Sequence, residues 1–349
     1  MILDQVLNTD GETKYRKGVS YNFADSYVVN MIYYNSEKLA LYSQDVVHAQ
    51  VRDIDVFTFY YKSSDLAQTH DTVFFSCFVA HLKAGSGSDN ESSRAGMVSS
   101  AMTYIRLHEL PENLFFMGDL NVYKSTEQAY INLTYTYNGE RYFYDPIDRE
   151  GSWNNNAAFK DVHTQSTHAN NVDCFSYGGL DDRFDFIMAS SSVLDGSHGV
   201  KMIEGSYEVL GNDGQHFNNS ITDSPTNTSA PSNIIDALYS MSDHLPILAK
   251  LRVDGSVGIE EESNNITGIK FENPNSGSFR FHISMENAEK IEVKVVDLYG
   301  HTKWQKSYDK SSIFVDGRIN MQAISSGTYI LKVSDANGHV NSKKFFVRK

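Results

Sequence analysis

The sequence predicts an α/β sandwich followed by a small all-β sandwich, and three observations carry that prediction. In residues 1–253, apolar runs of strand length alternate with helical periodicity, the pattern of a layered α/β domain. Residues 254–265 (DGSVGIEEESNN) are small and charged, the composition of an interdomain linker. From 266 to 349 only short alternating strands remain, with no helical period, which implies a β-sandwich.

The bulk properties bound the function. A length of 349 residues is enough for one large domain with a sizeable core and a second small one. Hydrophobic content of 40% with 21% charged residues excludes wholesale disorder. A net charge of −14 argues against non-specific coating of nucleic acid, which needs Lys and Arg, but not against an enzyme that meets a phosphate through a cation. No apolar stretch approaches the ~20 residues needed to cross a bilayer. Residues 2–5 have neither the basic nor the apolar region of a secretory signal. Cys77, inside the apolar run 73–80, reads as a buried thiol, with a disulfide to Cys174 as the alternative.

Taken in order, the runs 27–34 (YVVNMIYY), 72–82, 113–120 and 183–189 are expected strands. Val98, Ala101, Met102 and Ile105 fall at i, i+3, i+4 and i+7 and predict a helix, which Pro111 brings to an end. A second helix is expected to start at Ser125, with Gln128 completing a capping box. The polar stretches 138–182 and 211–232 are longer than ordinary connections, and such loops are often functional. Further on, Phe279, Phe281 and Ile283 alternate, as do Ile291, Val293 and Val295, and Tyr329, Leu331 and Val333. Gly300 and Asn337-Gly338 mark turns between such strands.

The chemistry sits at strand ends. Met117-Gly118-Asp119-Leu120-Asn121 closes a strand and places Asp119 and Asn121 on one face, an acid for a proton or a metal-bound water and an amide for a phosphate oxygen. Ser242-Asp243-His244 supplies an imidazole, which needs an orienting carboxylate to act as a base. Asp185, between Phe184 and Phe186, is an acid in apolar surroundings that must find a partner, and His244 would satisfy it. His81 ends another strand. Alone, each motif reads as a turn or an edge histidine; together they are the components for metal-assisted attack of water on a phosphodiester.

This ordered set resembles the endonuclease/exonuclease/phosphatase superfamily of DNase I-like enzymes over residues 1–253: HLK at 81, Arg94 at a helix start, MGDLN at 117, GGLDDRFDFI from 178 and SDHLPI from 242. The resemblance implies a DNase I-like four-layer α/β sandwich. It implies His244 as base or charge stabiliser oriented by Asp185, and Asp119 and Asn121 positioning water and phosphate. His81 would act on the leaving oxygen and Arg94 would be a supporting residue. Asp243 and Asp119 would share a divalent cation, Mg²⁺ or Mn²⁺. The family begins with a strand carrying an Asn and then a Gln-Glu pair whose Glu is the main metal ligand. Here residues 3–7 resemble the helix after that Glu, and Glu12 follows no strand, so the expectation is a chain lacking its first strand and that ligand.

Val122-Tyr123-Lys124 and Asp181-Asp182-Arg183 stand where the inositol-phosphate phosphatases of the superfamily carry an Arg and a Cys-Asp-Arg, which counts against that branch. Nucleic acid, DNA first, is the expected substrate, with Trp153, Phe175 and Tyr177 either stacking on bases or anchoring loops. The alternatives are a lipid phosphodiesterase of the sphingomyelinase kind and an inactive exported binding protein of the same fold.

The C-terminal stretch carries KFENP from 270, VVDLYG from 295, SGTYILKV from 326 and KKFFV from 343. It resembles the type A sorting domain of the type IX secretion system of Bacteroidota over 266–349. That implies the secretion machinery as a partner and a secreted or surface-attached product, a monomer by expectation. It also implies a signal peptide ahead of Met1.

Overall fold

Alternating aromatic and β-branched residues build a six-stranded mixed sheet at the centre of the first of two units, Met1–Val257 and Gly258–Lys349. The computed structural model describes residues 2–64, 66–69, 72–135, 142–173, 175–253, 266–271, 276–285, 290–297, 301–309, 313–321, 324–336 and 340–349. The strands are β1 (Leu39–Gln50), β2 (Arg52–Tyr61), β3 (Phe74–His81), β4 (Leu114–Asp119), β5 (Phe143–Tyr144) and β6 (Asp185–Ser190), ordered β1-β2-β3-β4-β6-β5. β3 and β4 are parallel, and the other neighbours are antiparallel.

The period-2 alternation of side chains gives the sheet two buried faces. Phe78, Ala80, Leu114 and Phe116 pack on one side against Met97, Val98, Ala101 and Ile105 of α1 (Ser88–Leu107), and Ala129 and Leu133 of α2 (Gln128–Thr134). Phe75, Cys77 and Phe115 pack on the other against Val193 of α3 (Ser191–Asp195) and Val200 and Met202 of a short strand. That strand, Val200–Met202, pairs with Leu251–Val253. Two further pairs, Tyr15–Lys17 with Tyr33–Asn35 and Glu208–Val209 with Ile247–Leu248, complete the strands of this unit among the described residues.

The structure departs from the expected elements in three places. Of the run 27–34 only Tyr33–Asn35 contains strand. The preceding chain is pinned as a loop: the Asp53 carboxylate accepts the amides of Phe23 (2.7 Å) and Ala24 (2.8 Å), while Asn30 Nδ2 donates to the Asp53 and Val79 carbonyls (2.8 and 3.1 Å) and to Asp55 (3.0 Å). The long β1–β2 hairpin, turned at Val51 with φ 69°, is an element the apolar patterning did not announce. The Ser125 capping box does not form; helix α2 starts at Gln128, whose side chain donates to Asn132 instead. The linker 254–265 and the turns at Gly300 and Asn337-Gly338 lie outside the described residues.

The second unit is all β. Strands β7 (Ile266–Phe271), β8 (Ser278–Met285) and β11 (Phe314–Asn320) form one sheet, and β9 (Ile291–Asp297), β10 (Thr302–Tyr308), β12 (Gly327–Ser334) and β13 (Val340–Val347) another. The alternating residues singled out in the sequence, Phe279, Phe281, Ile283, Ile291, Val293, Val295, Tyr329, Leu331 and Val333, all lie in its buried core.

Gly118 is the position in β4 where only glycine fits. Its φ is 125°, and a Cβ there would collide with the Ala80 carbonyl oxygen of the neighbouring parallel strand. Gly118→Ala is expected to cost about 1–3 kcal/mol through strain, read as a lowered urea midpoint; an unchanged midpoint would mean that β3 and β4 can separate freely at this row.

Candidate active site

The register of three strands assembles the site. His81 pairs with Asp119 across β3 and β4, and Asp119 pairs with Asp185 across β4 and β6, so three polar residues form one row at the sheet's end. His81 Nε2 lies 3.0 Å from Asp119 Oδ2. The segment carrying His244 reaches this row through residues 164–167. Leu245 N donates to the Thr164 carbonyl (2.7 Å) and Thr167 N to that of Asp243 (3.1 Å). Thr164 Oγ1 in turn accepts from Phe184 N (3.1 Å) and Asp185 N (3.3 Å). His244 Nδ1 is then 2.7 Å from Asp185 Oδ2, with Nε2 3.8 Å from Asp119 Oδ2.

His81, Asp119, Asn121, Asp185, Asp243 and His244 therefore surround one cavity of about 560 Å³. Arg52, Gln165 and Tyr123 line it as well, and sequence reasoning did not find them. Asn121 is not turned forward: its backbone amide donates to Asp119 Oδ1 (3.0 Å) and its Nδ2 to the Leu82 carbonyl (3.3 Å). Arg52 Nη1 donates to that same carbonyl at 2.6 Å. Among the described residues no carboxylate pairs with the Arg52 guanidinium; burial lowers its pKa and the charge of Asp119 opposes that.

Arg94 stands behind the cavity, fully buried. Its Nε and Nη2 bond Glu127 Oε2 (2.9 and 2.7 Å), and its Nη1 donates to the carbonyls of Lys83 and Gly85 (both 2.9 Å). Glu127 Oε1 accepts the Tyr123 amide at 2.8 Å. One buried ion pair thus fixes two lips of the cavity.

The carboxylates around His244 act on its protonation. Burial lowers its pKa, but the hydrogen bond and charge of Asp185, with Asp119 and Asp243 behind, push it up to about 9. Burial would raise the Asp243 carboxyl, yet His244 and the Ser176 amide hold it below the usual range. Gln165 Nε2 donates to Asp243 Oδ2 (3.0 Å) and faces His244 Nε2 (2.8 Å).

These contacts bear directly on a cation. Among the described residues no group of three or more His, Cys, Asp or Glu side chains is placed to hold a metal ion. Asp119 is engaged by Asn121 and two imidazoles, and Asp243 by Gln165 and Ser176. The shared Mg²⁺ or Mn²⁺ site expected at Asp243 and Asp119 is not assembled by these residues alone.

Of the aromatic candidates, Trp153 is fully buried and Phe175 stacks on the His168 ring at 4.7 Å. Tyr177 is 62% exposed, next to Ser176 on the cavity rim. Cys77 is a buried free thiol with its pKa pushed up to about 12 by burial; Cys174 lies outside the described residues.

Residues 271–348 match the family model of a secretion system C-terminal sorting domain. The C-terminal unit is a sorting domain. It directs the protein through the type IX secretion system to the cell surface or the extracellular space, and so engages the secretion machinery. No helix among the described residues is long and apolar enough to cross a membrane. No curated protein sequence matches the chain at a significant level.

Among solved structures the chain is similar to an endonuclease/exonuclease/phosphatase from Beutenbergia cavernae DSM 12333 (10% identity, TM-score 0.34, covering 91% of this chain and 76% of that chain). It is also similar to D. rerio TDP2 complexed with single strand DNA product (12%, TM-score 0.42, 72% and 80%). A third is the human Nocturnin catalytic domain with bound sulfate anion (12%, TM-score 0.38, 72% and 77%).

Ahead of the sorting domain, the polar stretch that precedes the His244 segment is closed by a buried histidine. His216 Nδ1 faces Asp213 Oδ1 (2.9 Å) and Nε2 faces the carbonyls of Asp223 (3.0 Å) and Pro225 (2.9 Å), so both ring nitrogens meet only acceptors. Burial lowers the pKa of His216, but the Asp213 hydrogen bond and charge and the two carbonyls together raise it. The stability this contributes is present below the unfolded value of ~6.5 and lost as pH rises through the higher native value. Urea unfolding at acid and alkaline pH is expected to show a larger alkaline loss for the wild type than for His216→Gln; parallel curves would contradict the assignment.

Proposed function

We propose that the α/β unit is an exported phosphodiesterase that hydrolyses nucleic acid, DNA first, at the cavity around His244. The observation that carries this reading is the 2.7 Å contact of His244 Nδ1 with Asp185 beside Asp119, in a polar cavity that also holds Arg52. An imidazole fixed at Nδ1 by a carboxylate presents Nε2 to the cavity. This nitrogen becomes a proton acceptor as the pH rises toward the raised pKa of about 9, so activity is expected to climb on the alkaline side of neutrality. A half-buried guanidinium without a carboxylate partner is satisfied by a phosphate oxygen.

In this reading the phosphate of the substrate binds against Arg52. His244 Nε2 takes a proton from water as the water oxygen bonds to phosphorus. The bond from phosphorus to the leaving oxygen breaks, and His81, held by Asp119, delivers a proton to that oxygen. Asp185 stabilises the imidazolium formed at His244. Tyr177, exposed and next in the chain to Ser176 of the cavity lining, offers a ring on which a base can stack, which favours nucleic acid over a lipid headgroup. Because the described residues do not make up a divalent-cation site, no step here runs through one; the Mg²⁺ or Mn²⁺ dependence that the family resemblance implies would show as loss of activity in EDTA.

Nicking of supercoiled plasmid is expected to fall about 10²–10⁴-fold in His244→Ala. Arg52→Met is expected to raise KM more than it lowers kcat, since it removes a binding charge. Wild-type activity retained by His244→Ala would overturn the assignment of the base. A folded wild-type chain that binds DNA but never nicks it would favour the inactive binding protein.

A further inference from the structure

We propose that Gln165 is a positioning residue for this hydrolysis, whose amide fixes the orientation of His244 and Asp243 beside the cavity. The inference rests on the phosphodiesterase reading for its kinetic consequence, but not for its geometry.

Three polar atoms converge: Gln165 Nε2 is 3.0 Å from Asp243 Oδ2 and 2.8 Å from His244 Nε2. A carboxylate oxygen can only accept, so the nitrogen of the amide, not its oxygen, must face Asp243; the flipped amide would set acceptor against acceptor. The two amide hydrogens then have one acceptor each, Asp243 Oδ2 and His244 Nε2. In its neutral form, above the raised pKa of about 9, His244 is left with its proton on Nδ1, which faces Asp185 at 2.7 Å. Both amide hydrogens and both ring nitrogens of His244 have a partner in this arrangement.

The amide is held there by its backbone. Gln165 N donates to the Asp182 carbonyl (3.0 Å), and its own carbonyl accepts from Asp181 N (2.9 Å) and Asp182 N (2.8 Å). On its other side Gln165 forms an antiparallel bridge with His244. The residue is therefore wedged between the chain leading to Asp185 and the chain carrying Asp243 and His244.

Gln165→Glu keeps the size and backbone of the side chain but removes the donor, and Gln165→Ala removes the side chain altogether. Two readouts are taken on both variants and the wild type: kcat and KM for a DNA phosphodiester, and ¹⁵N–¹H correlation spectra of the His244 ring at a pH above its raised pKa of about 9, assigned with His244→Asn. The expected result is an unprotonated Nε2 in the wild type and a protonated one in Gln165→Glu. With it, kcat falls about 10–100-fold, as for a misplaced catalytic group, while KM stays within about twofold and the unfolding midpoint is unchanged. A His244 ring whose nitrogens are the same in wild type and Gln165→Glu overturns the proposal, as does an unchanged kcat. If the wild type cleaves no DNA yet shows the change in ring nitrogens, the placement of Gln165 stands and the hydrolase reading fails.

Discussion

The site depends on strand register. His81, Asp119 and Asp185 are directly opposed across three neighbouring strands, and side chains along a strand alternate between faces. A slip of one residue in either pairing would send one member of the row to the other side of the sheet. The slip is resisted by the core: Phe78 and Phe116 must face the helices, while Phe75 and Phe115 must face the opposite layer. Hydrophobic burial thus places polar groups, and no attraction among the polar groups is needed to set the row. His244 arrives from outside the sheet, carried by hydrogen bonds from residues 164 and 167.

What could be read from the sequence follows from this logic. Asp119, Asp185 and His81 were legible because each sits at the end of a strongly apolar strand, where a polar residue has a place but no packing role. Helix α1 was legible from its 3.6-residue period, while the start of α2 was misread because Glu127, pulled to Arg94 and the Tyr123 amide, displaced the Ser125 cap. The run 27–34 looked like a strand by composition, but Asp53 and Asn30 tie that chain down through contacts distant in sequence. Arg52 and Gln165 left no local signal. One begins a strand of a hairpin that was not anticipated, the other lies in an Asn- and Ser-rich stretch, and both become site residues only through tertiary contacts.

Two fully buried guanidinium groups hold the frame around the cavity. Arg94 pairs with Glu127, and Arg183 makes two bonds to Asp145 at 2.7 and 2.8 Å while lying 4.3 Å from the Phe186 ring centre. Desolvating such pairs costs about as much as their attraction returns, so they are weak explanations of stability. They do fix position: Arg94 anchors the carbonyls of the 83–85 lip, and Arg183 stands two residues before Asp185. The acidic chain, at −14, places these cations where a lip or strand must not move.

The central claim is that water, activated at the His244–Asp185 pair, attacks a nucleic-acid phosphate. Its most direct test is cleavage of a short DNA in ¹⁸O-labelled water, with the product phosphate weighed by mass spectrometry. The account predicts one ¹⁸O atom in each new terminal phosphate for the wild type and loss of that product in Asp185→Asn. Cleavage by Asp185→Asn at the wild-type rate, or product phosphate without ¹⁸O, would contradict it.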